Sequence, residues 1–137
     1  MRLIVDASVA LFWNIASQST PLTEEAAAEI QRSGGVVPFH FQLEMCNALW
    51  VLERRGKLSA SDANETIDNI AMLDLEVDEL AMHKIGETVL PLARLYRLTL
   101  YDAAYLELAL RTDLPLATRD EALAAAAKKA GAKLFAP

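Results

Sequence analysis

Cysteine is nearly absent from this sequence. Its one thiol, Cys46, excludes a disulfide framework and a thiolate zinc site. The two histidines, His40 and His83, are too few and too far apart for a histidine-based metal cluster. Glycine and proline number 5 each, which excludes collagenous and linker-like chains. No apolar run of about 18 residues occurs, so no membrane-crossing helix is expected. An excess of basic charge is missing too. Thirteen basic against nineteen acidic side chains give −6, which is not the balance of an obvious nucleic-acid binder. The apolar stretch LIVDASVALFW follows a single Arg2. Asp6 interrupts it and Asn14 ends it, so it makes a poor secretion signal. With a lone cysteine and no export signal, a cytoplasmic protein is expected.

What is present is enough for a core. The chain has 137 residues, 53% hydrophobic and 23% charged, which excludes disorder and predicts a single domain spanning 1–137. Charge is unevenly spread. Residues 58–93 hold eight acids and one base, Lys84, for a charge of −7, leaving +1 for the remainder. A negatively charged substrate would avoid the middle segment and tolerate the rest, where Arg54, Arg55, Lys57, Arg94, Arg97, Arg111 and Arg119 sit.

Leu3, Ile4 and Val5 form an apolar run without polar alternation, which reads as a strand covered on both faces. Residues 8–16 read as a short helix started by Ser8, and residues 23–30 as a helix between Pro21 and Gly34-Gly35. Val36-Val37 is a second strand. Residues 40–55 carry Phe41, Met45, Ala48, Leu49 and Leu52 at helical spacing, and Gly56 closes that helix. A helix from Ser59 or Ser61 runs to Met72, and a third strand is expected within Leu73–Val77. Asp78 is read as the cap of a helix reaching Tyr96 that Pro91 kinks or divides. A helix over 101–112, a strand over Leu114–Thr118, a helix over 119–130 and a last strand at Lys133–Phe135 complete the chain. Strands alternating with helices predict a three-layer α/β/α sandwich around a mostly parallel sheet of four to five short strands.

In such sheets, sites form beyond the carboxyl ends of the strands. Asp6 falls there, at the end of the first strand inside an apolar stretch. A lone buried carboxylate costs several kcal/mol unless paired, protonated or metal-bound. The bland explanation is a cap on the next helix. Asp120 follows the strand Leu114–Thr118, but Thr118-Arg119-Asp120-Glu121 also matches a capping box with Thr118 as N-cap. Asp102, at a helix start, fits the helix dipole as well as a site. Glu44 lies within the helix 40–55, where capping does not explain it, and Asn47 shares its face three residues on. Solvent exposure or a pair with a nearby arginine are its ordinary explanations. Cys46 reads as a core thiol, Trp13, Trp50 and Tyr105 as core aromatics, and His40 and His83 as surface or packing residues. Gly34-Gly35 is a turn, since no phosphate-loop pattern surrounds it.

Taken in order, VDASV, then PFHFQLEMCNALWVLERRGKLS, then LTLYDAAYLELA, then LPLATRDEAL resemble the PIN-domain ribonucleases, specifically the VapC-like toxins of toxin–antitoxin pairs. The likeness covers essentially the whole chain, with 58–93 as its weakest part. It implies that Asp6, Glu44, Asp102 and Asp120 are the four acids of an endoribonuclease site. It implies supporting roles for Ser8, Asn47 and Thr118. Four carboxylates in one pocket need a cation to stay ionised, and an all-oxygen site suits Mg²⁺ or Mn²⁺. The resemblance further implies an RNA substrate, a homodimer with contributions from residues 22–33 and 40–72, and an antitoxin whose tail puts a basic side chain into the acid pocket. Two other functions stay open: a housekeeping RNA-processing nuclease, and a non-catalytic module whose acids grip a partner's arginines. Phosphoryl transfer to Asp6 fits less well. Haloacid-dehalogenase-like enzymes place a second Asp where this chain has Ser8, and receiver domains pair acids near the first strand, where only Asp6 is present.

Overall fold

Four short strands carry the architecture of the computed structural model, which describes residues 1–15 and 19–136. They are β1 (Leu3–Val5), β2 (Gly35–Pro38), β3 (Leu75–Asp78) and β4 (Leu116–Ala117). The helical segments are α1 (Ala7–Trp13), α2 (Pro21–Ser33), α3 (Phe41–Arg54), α4 (Ala60–Ala71), α5 (Met82–Lys84), α6 (Leu90–Tyr96), α7 (Leu100–Thr112) and α8 (Glu121–Ala130). A π-helical turn, Ile85–Val89, joins α5 to α6.

The sheet order is β3-β2-β1-β4 and every pairing is parallel. Ile4 stands opposite Val36 on one side and Leu116 on the other, so β1 is an interior strand. Successive side chains of a strand point to opposite faces, and this splits the core in two. Leu3, Val5, Val37 and Ala117 pack with Val9 and Ala10 of α1, Ala26 and Ile30 of α2, and Phe41 and Met45 of α3. Ile4, Val36 and Leu116 face the other way, onto Tyr105, Leu106, Leu108 and Ala109 of α7 and Leu123, Ala126 and Ala127 of α8. The result is the expected three-layer sandwich. Parallel pairing also sends every strand's carboxyl end, and the helix start that follows it, to one edge.

Several local expectations are corrected. Ser8 does not start α1; Asp6 caps it, because its side chain is what reaches the Val9 N–H. The expected end of that helix at Ala16 lies outside the described residues. Asp78 is no helix cap, since it closes β3 and is gripped by Arg111. The segment up to Tyr96 does divide at Pro91 as expected: Pro91 stands in the first turn of α6, and the π turn Ile85–Val89 comes directly before it. Thr118 is not the N-cap of α8: Asp120 is, accepting from Leu123 N–H. Lys133–Phe135 makes only an isolated bridge, Leu134 to Leu116, rather than a strand. Cys46 and Trp50 are exposed rather than in the core, because the buried stripe of α3 runs through Phe41, Met45 and Leu49. Glu44 lies in the first turn of α3, so a helix start does bear on it after all.

Candidate active site

All four acids stand where a helix begins at the carboxyl edge of the sheet. Asp6 follows β1 and caps α1, its Oδ1 accepting from Val9 N–H at 3.1 Å. Asp120 follows β4 and caps α8 through Leu123 N–H at 2.9 Å. Glu44 is in the first turn of α3, after β2, and Asp102 in the first turn of α7, where Thr99 is the cap. The unpaired N–H groups of a helix start carry partial positive charge and favour a carboxylate. Capping and site formation are therefore one arrangement here. Asp6 and Asp120 are held as caps, Glu44 and Asp102 sit in first turns, and the topology gathers all four.

Hydroxyls tie the ends of β1 and β4 together. Ser8 Oγ donates to Asp6 Oδ1 at 2.6 Å, and Thr118 Oγ1 donates to Asp6 Oδ2. Thr118 Oγ1 in turn accepts from Asp120 N–H at 3.0 Å, and Ser8 Oγ accepts from Arg119 N–H at 3.2 Å. Asp6 is only 6% exposed. Burial pushes its carboxyl above the ordinary range, the hydrogen bonds from Ser8, Thr118 and Val9 pull it back, and the charge of Asp120 adds to the rise. Glu44 is raised by burial and by the charges of Asp102 and Asp6, against a hydrogen bond from Tyr105. Asp102 is raised by burial, then by Asp120 and Asp6, with Thr99 opposing. The acids thus feel one another, and no cationic side chain offsets any of the three shifts.

Two neighbours of Glu44 escaped the sequence reading of the site. Tyr105 donates its hydroxyl to Glu44 Oε1 at 2.7 Å, and His40 Nε2 lies 3.3 Å from the same oxygen without hydrogen-bond alignment. Burial lowers the His40 pKa, so the ring is neutral near pH 7. Helical spacing was the available signal. His40 precedes Glu44 by four residues, and Tyr105 follows Asp102 by three. Asn47 is exposed. With Ala7, Ser8, Leu11, Phe12, Glu44 and Ala48 it lines a cleft between α1 and α3 that opens beside the acids.

The donor set fits a hard divalent cation. Its polar atoms are carboxylate and hydroxyl oxygens, and lone pairs stay open on Asp120 Oδ2, Glu44 Oε2 and the Asp102 carboxylate. Among the described residues no three His, Cys, Asp or Glu side chains already converge as a ready cage. Mg²⁺, which keeps several waters, needs only one or two carboxylates from the protein.

Comparison with known proteins agrees with this architecture. The PIN domain family matches residues 3–129. Ribonuclease VapC3 of Mycobacterium tuberculosis is 28% identical over 125 residues, covering 91% of this chain and 87% of that protein. The crystal structure of PAE2754 from Pyrobaculum aerophilum superposes with a TM-score of 0.72 at 24% identity, over 92% of this chain and 84% of that one. That of Mycobacterium tuberculosis VapC20, described as a sarcin-ricin loop cleaving toxin, does so at 0.70 and 14%, over 98% and 99%. These two structural likenesses bear on the fold.

Proposed function

The chain belongs to the PIN domain family, and from that premise we propose that it is a divalent-metal-dependent endoribonuclease, the toxin of a toxin–antitoxin pair. The observation that carries this is a buried Asp6 held by two hydroxyls, with the charge of Asp120 rather than a cation acting on it. A surface role does not account for a carboxylate in that setting. The likeness to Ribonuclease VapC3 supports RNA as the substrate, and the resemblance of the four sequence motifs to VapC-like toxins supports a toxin as the biological role.

In this reading Asp6 and Asp120 are the main ligands of Mg²⁺ or Mn²⁺, and Asp102 binds directly or through water. The bound ion supplies Lewis acidity at the scissile phosphate and makes water a better nucleophile near neutral pH. The chain does the rest. Thr118 and Ser8 fix both oxygens of Asp6, so that carboxylate is presented without a search through rotamers. Glu44, held at Oε1 by Tyr105, keeps Oε2 free to orient a water and take its proton. Its raised pKa brings it closer to that task than an ordinary glutamate. Asn47 supports the strand of RNA along the cleft beside Glu44.

We place the protein in the cytoplasm as a homodimer, with an antitoxin tail carrying a basic side chain into the acids. Among the described residues no helix is long and apolar enough to cross a membrane. Leu43, Trp50, Ile67 and Met72 on or next to α3 and α4 are exposed apolar side chains that a second copy would cover.

The test is cleavage of RNA by purified protein with Mg²⁺, with Mn²⁺ and with EDTA, with the new 5′ ends mapped by sequencing. Discrete cuts that need the metal are expected. No cutting in either metal would favour the arginine-gripping module, and cutting that persists in EDTA would remove the metal from the account.

A further inference from the structure

Among the basic side chains, Arg119 is the one set into the acid edge itself. It separates Thr118 from Asp120, and its own N–H donates to Ser8, so its backbone is part of the acid edge. Its side chain does not join the acids. The guanidinium carbon lies 4.1 Å from the centre of the Phe12 ring, on α1. Arg2, Arg32 and Arg111 are ion-paired, whereas among the described residues Arg119, like Arg54, Arg55, Arg94 and Arg97, shows no carboxylate partner; Arg54 also stacks on a ring, Trp50 at 5.6 Å, but only Arg119 does so at the acid edge. Phe12 and Ser8 also line the cleft between α1 and α3 that Glu44 borders. An exposed cation is thus parked on an aromatic face, at the rim of a cleft running away from the acids.

Resting on the nuclease reading above, we propose that Arg119, steadied by Phe12, grips a backbone phosphate next to the scissile one and lays the RNA strand along the α1–α3 cleft. A net charge of −6 repels RNA, so a substrate needs a local cation close to the site. The planar guanidinium can fork to phosphate oxygens while its face stays on a ring, which a lysine cannot do. Stacking keeps the charge away from Asp6 and Asp120, leaving those oxygens free, and spares the arginine much of the ordering cost of binding.

The experiment measures binding of a short single-stranded RNA across a salt series, in an Asp6→Asn background that leaves the RNA uncut. Adding Arg119→Ala is expected to weaken binding about tenfold at low salt and to reduce the log–log salt slope by about 0.7, the signature of one lost phosphate contact. Lys129→Ala changes net charge equally on the exposed end of α8 and is expected to leave the slope alone. Arg119→Lys should keep the slope, and it and Phe12→Leu should each cost about two- to fivefold in affinity. In otherwise wild-type enzyme, Arg119→Ala should raise KM and change kcat little. An unchanged slope in Arg119→Ala, or an equal effect of Lys129→Ala, overturns the inference while RNA cleavage stands. If wild type neither cuts nor binds RNA, the nuclease reading falls and the inference with it.

Discussion

Asp6 and Glu107 are equally buried, at 6% exposure each, and their surroundings differ in every other respect. Glu107, on α7, is forked by Arg111, with Nε 2.7 Å from Oε1 and Nη2 3.2 Å from Oε2. The same guanidinium reaches Asp78 at the end of β3 through contacts of 3.1 and 2.6 Å. A buried carboxylate with its cation in place is a closed unit, and this one ties β3 to α7. Asp6 has hydroxyls, one backbone N–H and other acids. Two carboxylates removed from water, one supplied with a cation by the chain and one not, separate structure from function more sharply than burial alone does.

The largest expected break in that comparison is Asp6→Asn. Its RNA cleavage should fall at least about a thousandfold, since a principal metal ligand is lost. The fold should survive. Asn Oδ1 can keep the bonds from Ser8 and Val9, and Nδ2 can donate to Thr118 Oγ1, which has a lone pair to spare. Without metal the variant should melt slightly higher, by about 3–5 °C for roughly 1 kcal/mol, because one of a set of repelling acids is gone. Paired cleavage and melting curves check both halves.

Arg111→Met is the opposite experiment. It strands Glu107 in a dry setting and should cost about 3 kcal/mol in urea unfolding, with Glu107→Gln in the same chain recovering part of the loss. Tyr105→Phe is milder. Removing the hydroxyl on Glu44 should lower kcat about tenfold and stability by about 1 kcal/mol, with the ring still filling the core.

The smallest effect is a slope with pH. Asp6, Glu44 and Asp102 all have carboxyls raised on folding, so the folded chain holds more protons than the unfolded one just above the ordinary carboxylate range. These three groups should make metal-free protein lose stability as pH rises from about 4 through that window, whereas His40, whose pKa burial lowers, works the other way closer to its ordinary range and levels the curve there. Saturating Mg²⁺ should flatten the slope. A metal-free stability that rises with pH across the same window would contradict the shared origin of the three shifts.

The order of elements was legible, and Asp6, Asp102 and Asp120 stood out because each marks a junction where a helix begins; Glu44 was read as lying inside a helix, and its place in the first turn of α3 was missed. The two-sided burial of β1 followed from three consecutive apolar residues, and the stripe Phe41, Met45, Leu49 from its spacing. That stripe already placed Cys46 and Trp50 off the buried face, so their exposure was readable and overlooked. What could not be read depended on distant partners. Asp78 looked like a cap because Arg111, which claims it, is far away in sequence. Thr118 looked like a cap because its true partner is Asp6 across the sheet. The π turn at Ile85–Val89 leaves no mark in the pattern of segment 58–93, where few residues are buried.

The central claim is that the acid edge awaits a cation and the Arg111 cluster does not. Thermal melts of wild type, Asp6→Asn and Glu107→Gln through a Mn²⁺ titration test it most directly. A ligand that binds only the folded state raises the midpoint as its concentration passes Kd. Wild type and Glu107→Gln should both climb with Mn²⁺ while Asp6→Asn stays nearly flat. A wild-type midpoint that ignores Mn²⁺, or an Asp6→Asn midpoint that climbs with it as steeply as wild type, would contradict the account.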